Sequence, residues 1–282
     1  MNLIKTLKKG AACTASSYKA VLLIWFTTLV LTLAVALPLR SLLYGAFGNT
    51  MAVERLMNGF DLGLISDLGD TFGDLTSALS AGTMLIILAG FVLLTFFAGG
   101  LFKRFITAWG GLRVSDFLKA SANNFIPFLK IALLLLFAVA VFSFVIIGIP
   151  ALIIVPALSE ASSSSNIMYL FNGLWLLALP VWIFTADYAR RWIASTGSHR
   201  AFRAVGAGFR ALRENFWLSY GTVFTIMVIN GLCFVLALWF AAVAMPDRGL
   251  LVFLFFIATQ VLSILRIFLK AWRYASVCQV GN

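Results

Sequence analysis

The stretch IALLLLFAVAVFSFVIIGIPAL, residues 131–152, contains no charged residue and decides the fold class of this chain. A helix needs about 20 apolar residues to cross a hydrocarbon core roughly 30 Å thick, and this stretch is long enough. Hydrocarbon offers no partner to backbone N–H and C=O groups, so a spanning segment must pair them internally. The stretch therefore predicts a transmembrane α-helix.

Similar apolar runs occur along the rest of the chain, at 20–39, 81–102, 127–152, 167–186, 217–244 and 250–270. The composition agrees with them, because 62% of the 282 residues are hydrophobic and only 11% are charged, with a mean hydropathy of +1.02. Soluble chains average about 25% charged residues. Ordinary contents of Gly, Pro and Cys exclude collagen-like, disordered and disulfide-stapled chains. The sequence predicts an all-α polytopic membrane protein with six transmembrane helices.

The 21 Lys and Arg residues are divided unequally between the two sides of these spans. Eighteen fall on the side of the N-terminus, and only Arg40, Arg55 and Arg248 fall on the other. The two sides then carry +15 and −4, which together give the net charge of +11. Because short cytoplasmic loops retain positive charge, we expect both termini in the cytoplasm of a bacterial inner-membrane protein.

Spans 1, 3 and 5 are each preceded by a basic segment with helical apolar spacing. Steps of three or four residues separate Leu3, Leu7, Ala11, Ala15 and Tyr18, and likewise Phe202, Val205, Phe209, Leu212 and Phe216. Such a stripe is typical of an amphipathic helix. We therefore predict one membrane domain of three hairpin repeats, 1–102, 103–186 and 187–282, each entered by a cytoplasmic amphipathic helix. The alternative is that any helix near a membrane surface has this composition.

The outer loops differ from one another, and the first, 40–80, is long enough for structure of its own. Leu68, Phe72 and Leu75 alternate there with three aspartates, Asp67, Asp70 and Asp74. This pattern favours an external amphipathic helix. Calcium is the alternative for these aspartates together with Asp61, but their spacing matches no ligand loop, and we predict no metal site.

Polar residues within the spans are few, and a charge at the centre of the bilayer costs at least about 2.5 to 3.5 kcal/mol. Asn230 and Gln260 fall at matching depth on spans 5 and 6, which favours a hydrogen bond between the helices. Asp187 and Arg266 lie near the cytoplasmic ends of spans 4 and 6, and we expect a structural ion pair between them. The alternative partners of Asp187 are Arg190 and Arg191, one turn away.

The sequence lacks the usual motifs of catalytic residues. His199 is the only histidine, and no GxSxG, HExxH, P-loop or dinucleotide-binding motif occurs. Cys13, Cys233 and Cys278 have no zinc-binding spacing, and two of them fall on the reducing side. We expect no enzyme, no cofactor and no disulfide.

Two short segments carry a resemblance to known proteins: Asp187-Tyr188-Ala189-Arg190 at the end of span 4, and Ala-Leu-Arg-Glu-Asn-Phe at 211–216, entering span 5. With the six spans, they resemble uncharacterised bacterial inner-membrane proteins similar to the membrane domain of some glycerophosphodiester phosphodiesterases. This resemblance implies the six-helix membrane fold. It implies no catalytic residue, because the chain lacks the histidine and carboxylate cluster of such an enzyme.

The function that these features favour is a non-enzymatic accessory or scaffold subunit. Its basic inner face would bind anionic lipid or a partner protein, with no nucleic acid involved. The residues expected to make these contacts are Lys103, Arg104, Arg200, Arg203, Arg210 and Arg213. The alternative is a small transporter or lipid-translocating protein with a groove between the hairpins, in which Pro180, Asn230 and Gln260 supply the polar groups and the break in a helix. A lipid-modifying enzyme is a third hypothesis.

Overall fold

The computed structural model describes residues 2–47, 62–107, 113–157, 161–243 and 249–280, which are almost entirely helical. The helices are α1 (Leu3–Ala15), α2 (Tyr18–Phe47), α3 (Leu62–Thr107), α4 (Val114–Ser143), α5 (Ile149–Ala157), α6 (Ala161–Thr196), α7 (Ala201–Glu214), α8 (Phe216–Val243) and α9 (Gly249–Val280). A π-helical turn, Phe144–Gly148, joins α4 to α5. It ends two residues before Pro150, which has no N–H to bond to the carbonyl of Ile146. The predicted all-α fold is confirmed.

Six segments in the described part of the chain are long and apolar enough to cross a membrane: Tyr18–Leu42, Thr76–Thr107, Val114–Ile153, Asn166–Thr196, Phe216–Phe240 and Leu250–Val280. They coincide with the six predicted spans, and most extend several residues beyond them. The predicted external helix of loop 40–80 is helical, but it is the continuous beginning of α3. The side chains of Leu68, Phe72 and Leu75 lie outside the described residues.

Contacts divide the chain into two compact units. The smaller unit, Leu23–Leu94, contains most of α2 and the first part of α3, and Leu39 packs against Gly82 there. The larger unit, Met1–Leu22 with Thr95–Asn282, contains the remaining helices and is the unit considered below. The division into three hairpins and the threefold repeat stay predictions.

The amphipathic entry segments take two forms. Two of them, α1 and α7, are separate helices, which end at the Ser16-Ser17 turn and at Asn215 respectively. The middle segment is instead continuous with its span in α4. Asn124 lies where the other two copies break, but its side chain donates to the carbonyl of Ala120 and the helix continues.

The first and last helices pack along each other, α1 against α9. The indole N–H of Trp272 donates to the carbonyl of Leu7 at 2.8 Å. Gly10 allows the close approach, because a Cβ there would overlap the hydroxyl of Ser276 and lie 3.0 Å from its Cα. The basic N-terminal helix is therefore part of the packed structure.

Buried residues of the larger unit are concentrated at one end of its spans. Phe102, Phe117, Phe128, Phe184 and Val277 are fully buried. Phe102 lies 5.8 Å from Phe128 and 4.8 Å from Tyr274 between ring centroids, so α3, α4 and α9 meet there. The opposite halves of the spans expose large apolar side chains, which suits contact with lipid: Phe137, Leu152, Leu170, Leu236 and Phe253.

The contact between α1 and α9 gives a first prediction. Replacing Gly10 by leucine should lower stability by about 1 to 3 kcal/mol, because the new side chain overpacks the contact with α9. Unfolding by sodium dodecyl sulfate in mixed micelles, followed by circular dichroism, measures the change.

Gly206 provides the matched control for this substitution. It lies exposed on α7, with nothing within 4 Å of its Cβ position. Leucine there should leave stability unchanged or raise it by up to about 1 kcal/mol, because glycine is a poor helix former. Equal effects at both positions would contradict the observed packing of α1.

Candidate functional site

The packed end of the larger unit is also its basic end, formed by 2–22, 95–107, 113–125, 184–216 and 266–280. At its centre lies the carboxylate of Asp187, which is 1% exposed. Its Oδ2 accepts a hydrogen bond from Nε of Arg273 on α9 at 2.7 Å, and its Oδ1 accepts one from Arg190 at 3.1 Å. The charge on α6 is thereby neutralised, and α6 and α9 are tied together.

The predicted pairing of Asp187 with Arg266 is wrong. Arg266 is exposed on α9, and its guanidinium lies 5.9 Å from the ring centroid of Phe234. The physical reason is register, because Arg273 is two turns farther along α9 and reaches the depth of Asp187. Arg190, which the sequence offered as an alternative, is confirmed as a partner, whereas Arg273 was missed.

Arg104 is a structural residue rather than the predicted lipid or partner contact. It is 8% exposed, and its Nε donates to the hydroxyl of Ser17 at 2.6 Å. Its Nη2 donates to the carbonyl of Ser16 at 3.1 Å. A cation that bonds to the carbonyls at a helix end also interacts favourably with the helix dipole. Arg104 therefore ties the junction of α1 and α2 to α3.

The helix α7 presents three different faces. Its small residues pack against α6, and a Cβ on Gly208 would lie 2.7 Å from the carbonyl oxygen of Thr185. Phe202 and Phe209 lie on a neighbouring face, where Phe202 is 81% exposed. The predicted contact residues at the N-cap of this helix and along it are all exposed: Arg200, Arg203, Arg210 and Arg213. The predicted apolar stripe is thus divided, because Leu212 is buried among the small residues and Phe202 is not.

A cavity of about 900 Å³ lies at the basic end, between the end of α3, the beginning of α4 and the end of α6. Lys103, predicted as a contact residue, lines it. Its wall from α4 includes Arg113, Asp116, Lys119 and Asn123, and Asn124 also contributes. His199 lines the opposite side, next to Gly197, which has a left-handed φ of 67° that glycine adopts without strain.

Sequence analysis missed this polar face of α4. Its residues recur at steps of three and four, from Arg113 through Asp116 and Lys119 to Asn123, which places them on one side of a helix.

The residues predicted for the transporter alternative lie elsewhere. Asn230 is exposed on α8, and Gln260 on α9 is partly buried. Neither lines the basic cavity or a second, apolar cavity of about 430 Å³ between α4 and α6. Helix α6 continues through Pro180, and the hydroxyl of Tyr220 donates to the neighbouring carbonyl of Leu177. The hydrogen bond between Asn230 and Gln260 stays a prediction.

No model of a protein family, no curated protein and no solved structure matches this chain. The resemblance to the membrane domains of glycerophosphodiester phosphodiesterases therefore stays a prediction.

The ion pairs at Asp187 give a second prediction. Replacement of Asp187 by asparagine should destabilise the protein by about 3 to 5 kcal/mol, because it leaves two guanidinium groups at a buried position without their counter-charge. The midpoint of thermal unfolding in detergent measures the effect.

Arg266→Gln is the control, since this exposed arginine makes only the contact with Phe234 in the described structure and should cost under about 1 kcal/mol. A larger loss from Arg266→Gln than from Asp187→Asn would restore the sequence-based pairing.

Proposed function

We propose that this protein is a non-enzymatic accessory or scaffold subunit of the bacterial inner membrane, whose basic cytoplasmic face binds anionic lipid. The observation that carries the proposal is the outer surface of α7. Exposed aromatic residues lie there beside four exposed arginines. Aromatic and cationic side chains on one surface suit the boundary between the hydrocarbon core and the lipid head groups. Contact with water alone does not explain the exposed aromatic residues.

The apolar part of this surface requires a hydrophobic surrounding. Phe202 at the beginning of α7 and Trp217 at the start of α8 are 81% and 83% exposed. Burial of one such side chain is worth roughly 1.5 to 3 kcal/mol, so both favour a position within the membrane interface. Aromatic residues are enriched at that level of a bilayer.

The charged part of this surface requires anions. Arg200, Arg203, Arg210 and Arg213 form no ion pair with a carboxylate in the part of the chain that the structure describes. Each basic residue near an anionic leaflet contributes about 1 kcal/mol of attraction. An amphipathic helix with both features binds such a surface through the sum of the two effects.

The lipid hypothesis gives a third prediction. Replacing the four arginines of α7 by glutamine should reduce the anionic lipid that co-purifies with the protein in mild detergent severalfold. The buried face of α7 is unchanged, so the helical content and the unfolding midpoint should remain those of the wild type. Lipid extraction followed by mass spectrometry measures the recovery.

The matched control replaces the same four arginines by lysine. Lysine keeps the charge, so attraction to an anionic surface is retained and lipid recovery should stay high. Unchanged recovery after replacement by glutamine would contradict lipid binding by α7. Loss of a co-purifying protein in the glutamine variant, with lipid unchanged, would favour a partner protein at this face.

The orientation gives a fourth prediction, for which the native cysteines are poorly suited. Burial raises the pKa of the Cys13 thiol, and the nearby charge of Arg104 offsets only part of this effect. Cys278 is 2% exposed. Single cysteines in a cysteine-free background at Ser77, near the start of the second span, and at Ser195, near the end of the fourth, are better reporters because both residues are exposed.

A membrane-impermeant maleimide should label Ser77→Cys in spheroplasts and Ser195→Cys only after lysis. The two positions serve as controls for each other, because each is accessible from one side alone. The reverse pattern would overturn the orientation.

A further inference from the structure

The cavity between α3, α4 and α6 is an open recess at the basic end, and charged side chains from two helices line it. Lys103 comes from α3, and Arg113 and Lys119 come from α4. In the described residues, none of these three forms an ion pair with a carboxylate. Among the described lining residues Asp116 is the one carboxylate, so Lys103, Arg113 and Lys119 leave two net positive charges beside His199.

The backbone adds to this positive potential. The side chain of Arg113, the N-cap residue of α4, makes no capping hydrogen bond, and Arg113 and Asp116 lie in the wall of the cavity. Unpaired N–H groups and the helix dipole favour an anion at such a position. Asn123 and His199 provide further hydrogen-bond donors from two sides.

The charge of the lining selects the class of ligand. A phosphomonoester carries about −1.5 to −2 charges at pH 7, whereas a phosphodiester carries one. Two net positive charges match the monoester. The volume of about 900 Å³ falls in the range of ligand pockets, so it admits a phosphate group together with the polyol that bears it.

We propose that this cavity binds a phosphomonoester, either as the head group of an anionic lipid or as a free phosphorylated polyol. This inference rests on the proposed function. It specifies where the basic face binds an anion and to which chemical class that anion belongs. Lys103 and Lys119 contact the phosphate oxygens, and the planar guanidinium of Arg113 donates a bidentate pair of hydrogen bonds to them. Asp116 limits the net charge and so lowers affinity for the phosphate itself.

Binding to lipid is tested in nanodiscs of phosphatidylcholine that contain either phosphatidate, a monoester, or enough phosphatidylglycerol, a diester, to match the surface charge. Native mass spectrometry counts the lipids retained. The wild type should retain phosphatidate over phosphatidylglycerol by about tenfold. Lys103→Gln/Lys119→Gln should lose this preference, since it removes two charge-assisted hydrogen bonds.

Lys8→Gln/Lys9→Gln is the matched control. These two lysines are exposed on α1 and do not line the cavity, and their replacement changes the net charge equally. The control should keep the preference for phosphatidate. Equal behaviour of the two double variants, or equal retention of the two lipids by the wild type, would overturn the proposal.

Asp116→Asn provides a test that loss of folding cannot imitate. Removing this carboxylate raises the net charge of the lining from +2 to +3 and should strengthen phosphatidate binding severalfold. Weaker or unchanged binding in a variant with wild-type helical content would count against the assigned role of the charges.

The source of the phosphate is distinguished by titrating the detergent-solubilised protein with glycerol 3-phosphate and with inorganic phosphate. Binding of glycerol 3-phosphate that Lys103→Gln/Lys119→Gln abolishes supports a soluble ligand. If glycerol 3-phosphate does not bind but phosphatidate is retained, the result supports a lipid head group. If neither glycerol 3-phosphate nor phosphatidate binds, the proposed site is wrong.

This design separates the two proposals. If α7 binds anionic lipid but Lys103→Gln/Lys119→Gln and Lys8→Gln/Lys9→Gln show the same preference for phosphatidate, the cavity proposal fails and the proposed function stands. If anionic lipid is not enriched at all, the proposed function fails, and glycerol 3-phosphate still tests the cavity.

Discussion

The buried carboxylate of Asp187 is the interaction on which the basic end depends. It bonds to Arg273 of α9 and to Arg190 of its own helix, so two guanidinium groups share one buried carboxylate charge. A buried ion pair adds little net stability compared with an apolar contact of the same shape, but loss of one partner is costly. Asp187 therefore fixes the register of α6 and α9 more than it adds to their affinity.

That fixed register organises the neighbouring helices. Helix α1 packs on α9, α7 packs on α6, and Arg104 fastens the junction of α1 and α2. The far halves of the spans need no such contacts, because lipid is as apolar as their side chains and provides little drive for packing. Specific packing is thus concentrated where the chain leaves the hydrocarbon, which is also where its charges lie.

The sequence predicted the spans well, because an apolar run in lipid has one solution, a helix. It also identified Asp187 as paired and the four α7 arginines as exposed. It misplaced Arg104 and Arg266, since burial of a cation depends on which helices meet, and spacing within one helix carries no such information. The cavity was missed for the same reason: Lys103 and Lys119 belong to different helices.

The excess of cations at the packed end affects how this end interacts with its surroundings. Among the described acidic residues of this end, Asp187 is already shared by two arginines, Glu214 is exposed, and Asp116 lies among three cations. The cations of this end outnumber its described acidic residues and repel one another. A membrane surface rich in phosphate reduces this repulsion without any change in fold. Binding of anions would therefore lower the electrostatic free energy of repulsion at this end of the helix bundle.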